Sequence, residues 1–402
     1  MIFTLIIMLN LMWIISNYWK ICGMFSLELN YNNYQILFSI LLCVSCLITF
    51  YINPIDVCVL DGWCDDKLSI ALRRIYTIVL ICASLVSRLI MFYKVKKYLK
   101  FYRINNDAYN QRWPMKIIYH YRFQLYLSLM IAFFLIIIIP INISRLYLIY
   151  KYNPSITNIA IIGGYVQSLS ICCMESHFIY ISFSIYLKLC IINEELGLLK
   201  SKIMVDNKYP IALRSNDFKT LNNRIVIKKK TVNNLGMAYS LEILRIRHGF
   251  IRIAINDLNN LFDIQLGLSL CVLSVMILFN MYNENFHASG TVTRSKLIFY
   301  GWLFQSVFRF VLINIIAHYT IQEALKAKIL ITDMNNRYLD NNFKYELQLF
   351  LSQINNSSLD FKAYDCFNLN IHLITSAITV GITYLFMLIQ FRLNSHDVTR
   401  KS

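Results

Sequence analysis

The chain has 402 residues, of which 57% are hydrophobic and only 15% are charged, and its mean hydropathy is +0.50. Soluble domains have roughly half apolar and a quarter charged residues, so this composition excludes an ordinary water-soluble protein. The basic residues that give the chain its net charge of +17 lie in polar segments between long apolar stretches. They form no basic domain with interleaved aromatic residues, which argues against a nucleic-acid partner.

Seven stretches are long and apolar enough to cross a bilayer as helices, since a span needs about 20 residues. In chain order they are 34–52, 75–93, 121–141, 157–187, 264–282, 297–317 and 370–390. A shorter apolar segment, from Ile2 to Ile15, lacks the basic start and the small-residue cleavage site of a signal peptide. We interpret it as an interfacial helix; the alternative, a cleaved signal, would reverse the topology of all later segments. The predicted fold class is an all-α membrane protein with seven transmembrane helices.

The basic residues between these stretches predict the orientation of the chain. The N-terminal arm and the segments 94–120, 188–263 and 318–369 carry 26 Lys and Arg residues, whereas the segments on the opposite side carry 10. Because cytosolic loops are the basic ones, the N-terminus is predicted to be cytosolic and the C-terminus extracellular. A G-protein-coupled receptor has the opposite orientation, and the chain also lacks a DRY-like triplet and an NPxxY motif.

The two longest cytosolic segments, 188–263 and 318–369, have helical rather than linker-like patterns. Apolar residues recur at helical spacing in 235–261 and in 342–354, among them Leu241, Leu244, Ile251, Ile255, Phe343, Leu347, Phe350, Leu351 and Ile354. The sequence therefore predicts helical extensions below the membrane, with a loop at 207–217. We detect no internal repeats, which disfavours a transporter built from inverted repeats.

Charged residues inside the predicted spans are costly and need partners. Arg88, Glu175 (with His177 nearby) and Arg309 are expected to pair between helices. Arg88 lies near the inner end of its span, where it can also extend to the interface. A gating role is the alternative for each of them.

The last span has polar and small residues at spacings of three, four, three and four, which places them on one helical stripe. They are Ser376, Thr379, Thr383, Phe386 and Gln390. Such a stripe is typical of a pore wall and equally of a close contact between membrane helices. The pattern alone leaves both interpretations open.

Most of the eleven cysteines lie in apolar stretches, where Cys acts as a small hydrophobe. Cys58 and Cys64 lie in a short polar segment predicted to be outside, where a disulfide and two free thiols are equally compatible with the sequence. There is no CxxC…CxxC or HExxH pattern, no phosphate-binding Gly loop and no nucleophile–base arrangement. We therefore expect no metal, no cofactor and no enzymatic activity.

The C-terminal sequence FLSQINNSSLDFKAYDCFNLNIHLITSAITVGITYLFMLIQF, residues 350–391, resembles the signature of insect gustatory receptors. That signature is a Thr-Tyr pair, a short apolar run and a Gln-Phe pair, here Thr383, Tyr384, Gln390 and Phe391. Phe361, Phe367 and Asn370 also resemble the family's approach to the last span. The departure is Asp365-Cys366, where many members have a glycine.

The resemblance implies a ligand-gated cation channel in the plasma membrane of chemosensory neurons, assembled as a homo- or heterotetramer with other gustatory receptors. The implied domains are a cytosolic arm (1–33), a six-span ligand-binding bundle (34–317), a cytosolic anchor segment (318–369), a pore-lining seventh span (370–391) and an extracellular tail (392–402). Ser376, Thr379, Thr383, Phe386, Gln390 and Phe391 would then line or gate the pore. An odorant receptor of the same superfamily and, less favoured, a multi-span transporter are the alternatives.

The resemblance also implies a small-molecule tastant as ligand, bound in the outer halves of the spans. Polar and aromatic side chains there are candidates for binding it, namely Tyr165, Gln167, Asn280, Trp302 and Gln305. For each of them, a polar group satisfied within the bundle or an aromatic anchor at the lipid interface is the simpler interpretation. Sugar receptors of the family often have an acidic residue after the Thr-Tyr pair; Leu385 stands there instead, which disfavours common sugars and leaves bitter compounds, other tastants or a contact pheromone.

Overall fold

The computed structural model describes residues 33–52, 67–94, 98–114, 117–133, 137–152, 157–206, 223–287, 293–335, 341–356, 359–364 and 367–401. Within these ranges the chain is almost wholly helical. The helices are α1 Asn33–Ile52, α2 Lys67–Lys94, α3 Lys100–Arg112, α4 Ile117–Phe133, α5 Ile139–Tyr152, α6 Thr157–Asp206, α7 Asn223–His287, α8 Thr293–Asn335, α9 Asn341–Asn355 and α10 Ile371–Lys401. Two short strands, β1 Lys362–Ala363 and β2 Phe367–Asn368, precede α10.

Three helices are much longer than a bilayer requires. Helices α6, α7 and α8 have 50, 65 and 43 residues, whereas about 20 helical residues cross the hydrocarbon core. At about 1.5 Å per residue, α7 is roughly 100 Å long. Their charged ends meet on one side, where Arg247 binds Glu195 at 2.5 Å and Lys200 binds Asp333 at 2.6 Å. The three helices therefore extend together beyond the thickness of a bilayer's hydrocarbon core.

These charged extensions form a bundle with α9. Helix α9 is amphipathic, and its apolar face is buried against apolar side chains of α6, α7 and α8. The buried residues include Leu196, Ile203, Leu241, Leu244, Ile251, Ile255, Ala327, Ile331, Phe343, Leu347, Phe350 and Ile354. The helical, amphipathic character predicted for 235–261 and 342–354 is confirmed. Residues 207–217, predicted as a loop, lie outside the described residues.

Aromatic rings pack the shorter helices α3 and α4 against the long helices. Tyr126 of α4 stacks on Phe183 of α6, with ring centroids 3.9 Å apart. Tyr109 of α3 packs between cations of two long helices, with the Lys188 ammonium 4.6 Å and the Arg247 guanidinium 5.9 Å from its ring centroid. Burial raises the pKa of the Tyr109 phenol, and Arg247 partly opposes this shift.

Residues 359–370 join α9 to α10 through a small antiparallel pairing. Lys362 pairs with Asn368 and Ala363 with Phe367. Phe361 is fully buried, with its ring 5.6 Å from that of Phe178. The sequence analysis did not predict these strands.

The described helices overlap all seven predicted spans. The third stretch, 121–141, is covered by α4 up to Phe133 and by α5 from Ile139, and residues 134–136 lie outside the described residues.

Among the described residues, four helical segments are long and apolar enough to cross a membrane: Val166–Ile203, Gly236–Leu278, Tyr300–Asn335 and Ile371–Gln390. Ile78–Ile90 is a shorter apolar segment of α2. In α1, the side chains of Leu37, Leu41 and Leu47 are all more than half exposed, as expected of a helix that faces lipid. The count of seven spans and the orientation of the termini stay predictions.

Candidate functional site

The last helix, α10, is an apolar helix that buries almost nothing of itself. No residue of Ile371–Gln390 is buried. One face makes contact with the rest of the chain: Leu373, Ile374 and Ala377 pack on the core of the bundle, and Gly381 lies against Leu278 of α7. The other faces of α10 have no cover from the described part of the chain.

The predicted polar stripe lies on one of these uncovered faces. At about 100° per residue, its centre is on the opposite side of α10 from Leu373, Ile374 and Ala377. The hydroxyls of Thr379 and Thr383 donate to backbone carbonyls one turn earlier, at 3.0 and 2.9 Å. These hydrogen bonds satisfy the hydroxyl protons within an apolar helix, and the hydroxyl oxygens can still accept hydrogen bonds. The exposed members of the stripe are Ser376, Thr379, Thr383, Phe386 and Gln390; the side chain of Phe391 lies outside the described residues.

A buried ion pair joins α6 and α8. Arg309 donates from Nε to Glu175 Oε2 at 2.6 Å and from Nη2 to Oε1 at 2.8 Å. Ser269 of α7 donates its hydroxyl to the same carboxylate. The Arg309 and Glu175 side chains are 7% and 3% exposed, so the two opposite charges compensate each other inside the bundle. The predicted pairing of these residues between helices is confirmed.

A second polar cluster lies between α1, α2 and α6, with Gln167 at its centre. Its Oε1 accepts from Ser84 Oγ at 2.5 Å and from Arg88 Nη2 at 3.0 Å, and its Nε2 donates to Ser45 Oγ at 3.2 Å. Arg88 also donates to Ser170. Arg88 is 2% exposed and does not extend to the interface; its predicted pairing between helices is confirmed. The polar groups of α6 offer it partners inside the bundle.

The other ligand candidates lie on three helices. Trp302 and Gln305 lie on α8 and are both buried, and Gln305 Oε1 has no hydrogen-bond donor among the described residues. Ser306 of the same helix donates to Met276 Sδ of α7 at 3.3 Å. Tyr165 and Asn280 belong to α6 and α7, but their side chains lie outside the described residues, as do Cys58 and Cys64.

The described residues hold no group of three or more His, Cys, Asp or Glu side chains that could bind a metal ion. Among the six cysteines whose side chains are described, none forms a disulfide.

Comparison with protein families decides the class of this helical membrane protein. A sequence profile described as 7tm chemosensory receptor matches residues 12–395. The chain belongs to this chemosensory receptor family. The resemblance to insect chemoreceptors, based on residues 350–391, is therefore confirmed at the level of the family. No curated protein sequence matches the receptor.

Solved structures share the fold of the receptor. The insect olfactory receptor OR5 from Machilis hrabei in complex with eugenol has a TM-score of 0.60 at 12% identity, with 96% of this chain and 99% of that chain covered. The structure of OR5 described without eugenol has a TM-score of 0.57 at 13% identity, with the same coverage. At such low identity, the similarity establishes a common fold along almost the whole receptor.

The structure adds polar residues of the receptor that the sequence analysis missed. Ser269 completes the Glu175 site although it is 94 residues away in sequence. Lys94 and Asp263 form an ion pair across 169 residues. No local pattern marks such partners. The available signal, a charge inside or at the end of an apolar stretch, indicates that a partner is needed but not which residue it is.

Proposed function

We propose that the receptor is a gustatory receptor, a tastant-gated non-selective cation channel in the plasma membrane of chemosensory neurons. Four subunits, identical or mixed, surround a pore lined by the α10 helices. Ser376, Thr379, Thr383 and Phe386 face the lumen, and Gln390 and Phe391 form its outer constriction. A ring of amide and aromatic side chains can exclude water from a closed pore.

The observation that carries this proposal is the uncovered polar stripe of α10. A lipid-facing helix does not need a row of Ser, Thr and Gln on the side turned away from its own bundle, because lipid offers these groups no partner. Around a fourfold axis the stripes would face one another and a column of water. The apolar residues beside them would face neighbouring subunits and lipid.

The proposed topology has seven spans, a cytosolic N-terminus and an extracellular C-terminus. The excess of basic residues in 94–120, 188–263 and 318–369 supports it. In this arrangement the bundle formed by α9 and the charged ends of α6, α7 and α8 is the cytosolic anchor, and 34–317 is the ligand-binding bundle. An epitope tag after Ser402 should be reached by antibody on intact cells; staining only after permeabilisation would refute this orientation.

The gustatory assignment is supported by Thr383, Tyr384, Gln390 and Phe391. An odorant receptor is the second candidate, and the fold shared with an olfactory receptor bound to eugenol favours it. A small organic ligand suits both. Within the bundle, Gln305 has an unpaired acceptor beside Trp302, so we propose these two as the first ligand contacts to test, followed by Tyr165, Gln167 and Asn280.

Cysteine accessibility during patch-clamp recording tests the pore. Cysteines at Thr379 and Thr383 should react with a water-soluble cationic thiol reagent and lose most of the current. A cysteine at Ile378 is the matched control, because this residue is 56% exposed but lies about 120° from the centre of the stripe. Equal reaction at all three positions, or no current from the wild-type receptor with any tastant or odorant, would refute the proposal.

A further inference from the structure

The segment before α10 is fixed to α7 at two successive turns. Asn259 Nδ2 donates to the carbonyl of Asp360 at 2.7 Å, and its Oδ1 accepts from the backbone N–H of Lys362 at 3.3 Å. The backbone N–H of Tyr364 donates to the carbonyl of Asp263 at 3.1 Å. We refer to the described residues of 359–370 as the clip.

The clip is held in a conformation that a chain rarely adopts by itself. Tyr364 has a φ of 59°, in the left-handed region that residues with a Cβ disfavour. A Cβ on Gly267 of α7 would lie 3.2 Å from the Cβ of Tyr364, so the contact depends on glycine. Such backbone strain persists only where the surroundings fix the residue firmly. Here the surroundings are α7.

The other end of the clip begins α10. The backbone N–H of Leu369 donates to the carbonyl of Phe361 at 2.8 Å, which closes the small sheet. The side chain of Asn370 then caps α10 by accepting from the N–H of Leu373 at 2.9 Å. Asp263 is therefore connected to the first turn of α10 through Tyr364, the small sheet and Asn370.

The same aspartate also holds the last residue of α2. Lys94 Nζ lies 2.6 Å from Asp263 Oδ1, with side-chain exposures of 18% and 25%. Asp263 thus contacts α2 through its carboxylate and the clip through its carbonyl. We propose that Lys94, Asp263 and Tyr364 form a link through which α2 positions the base of α10 and thereby sets the opening equilibrium. That α10 lines a pore rests on the proposed function; the link itself does not.

Hydrogen exchange of the full-length receptor in detergent tests the link without any ligand. Lys94→Met and Asp263→Asn should speed exchange in peptides covering Tyr364 and Leu369 about two- to fivefold, as expected for a partly exposed ion pair. Lys200→Met and Asp333→Asn are matched controls, because that pair has the same residue types and the same 2.6 Å distance elsewhere. Exchange that is unchanged in Lys94→Met would overturn the proposal.

A second pair of variants tests the contact at Tyr364. Gly267→Ala should speed exchange in the same peptides, whereas Gly236→Ala, on the same helix with nothing within 4 Å of the added Cβ, should not. If Lys94→Met fails to fold, the exchanged pair Lys94→Asp with Asp263→Lys replaces it, and it should restore wild-type exchange. Equal exchange in the two glycine variants would also overturn the proposal.

Patch-clamp recording tests the consequence for gating, with eugenol, sucrose, caffeine and quinine as probes. Lys94→Met should raise the half-maximal concentration of an active probe about threefold, and Lys200→Met should leave it unchanged. Faster exchange with unaltered gating would overturn the positioning role. A wild-type receptor that stays silent while Lys94→Met speeds exchange would instead refute the proposed channel and leave the link intact.

Discussion

Arg309 and Glu175 form two hydrogen bonds, of 2.6 and 2.8 Å, at a buried site inside the bundle. The two residues lie on α8 and α6, which pack extensively against each other. Ser269 adds α7 to the site. Two charges in apolar surroundings therefore fix the relative position of three helices, since neither can move away without leaving the other unpaired.

Arg309→Met should destabilise the receptor strongly, because it leaves the Glu175 carboxylate buried without its cation. Removing one partner of a buried pair costs about 3–5 kcal/mol. The double variant Glu175→Leu with Arg309→Met should recover most of that loss, since no isolated charge remains. Thermal unfolding in detergent measures both. Lys200→Met is the control; it breaks a more exposed pair and should cost about 1 kcal/mol or less. Arg309→Met with wild-type stability would contradict the argument.

Gln167→Ala should act on folding more than on ligand response. It removes the oxygen that accepts from Ser84 and Arg88, and it leaves the buried guanidinium with fewer acceptors. An unsatisfied buried polar group costs about 1–3 kcal/mol, and more if it is charged. Gln167→Glu should retain more stability, because a carboxylate still accepts from Arg88. Surface abundance and dose–response curves separate the two effects. A shifted dose–response at normal abundance would restore Gln167 as a ligand contact.

Hydropathy and periodicity alone predicted much of the fold. Uniformly apolar stretches correspond to helices, and Phe343, Leu347, Phe350 and Ile354 do form the buried face of α9. Both signals are local, since they depend on neighbours within one or two helical turns.

The polar contacts could not be predicted in the same way. Glu175 and Arg309 are 134 residues apart, and Lys94 and Asp263 are 169 apart, so no sequence window contains both partners. A charged residue in an apolar stretch indicates that a charged or polar partner is needed, but not which residue that partner is. The clip was missed for another reason. Strands of two residues are too short for an alternating pattern, and a left-handed tyrosine has no sequence signature.

The ring of Tyr109, rather than its hydroxyl, should supply most of its contribution to the stability of α3. Tyr109→Phe keeps the ring between Lys188 and Arg247 and loses only the hydroxyl, which accepts from Arg247 at 3.5 Å. This should cost about 1 kcal/mol or less. Tyr109→Ala also removes the buried ring and should cost about 3–5 kcal/mol. Thermal unfolding compares them, with hydrogen exchange of α3 as a local measure. Equal losses would locate the effect in the hydroxyl.

Gln390 and Phe391 provide the sharpest test of the closing constriction. If four copies of each form the outer ring of the pore, Gln390→Ala or Phe391→Ala widens and wets it, because alanine removes both the amide ring and the aromatic bulk. Unliganded current should rise, or cation selectivity should change, in at least one variant at unchanged surface abundance. Tyr384→Ala is a control that truncates an exposed α10 residue lying off the stripe. If both constriction variants give current traces like those of wild type, the gate lies elsewhere along α10. The next candidates are then Phe386, Thr383 and Thr379, which lie on the same stripe.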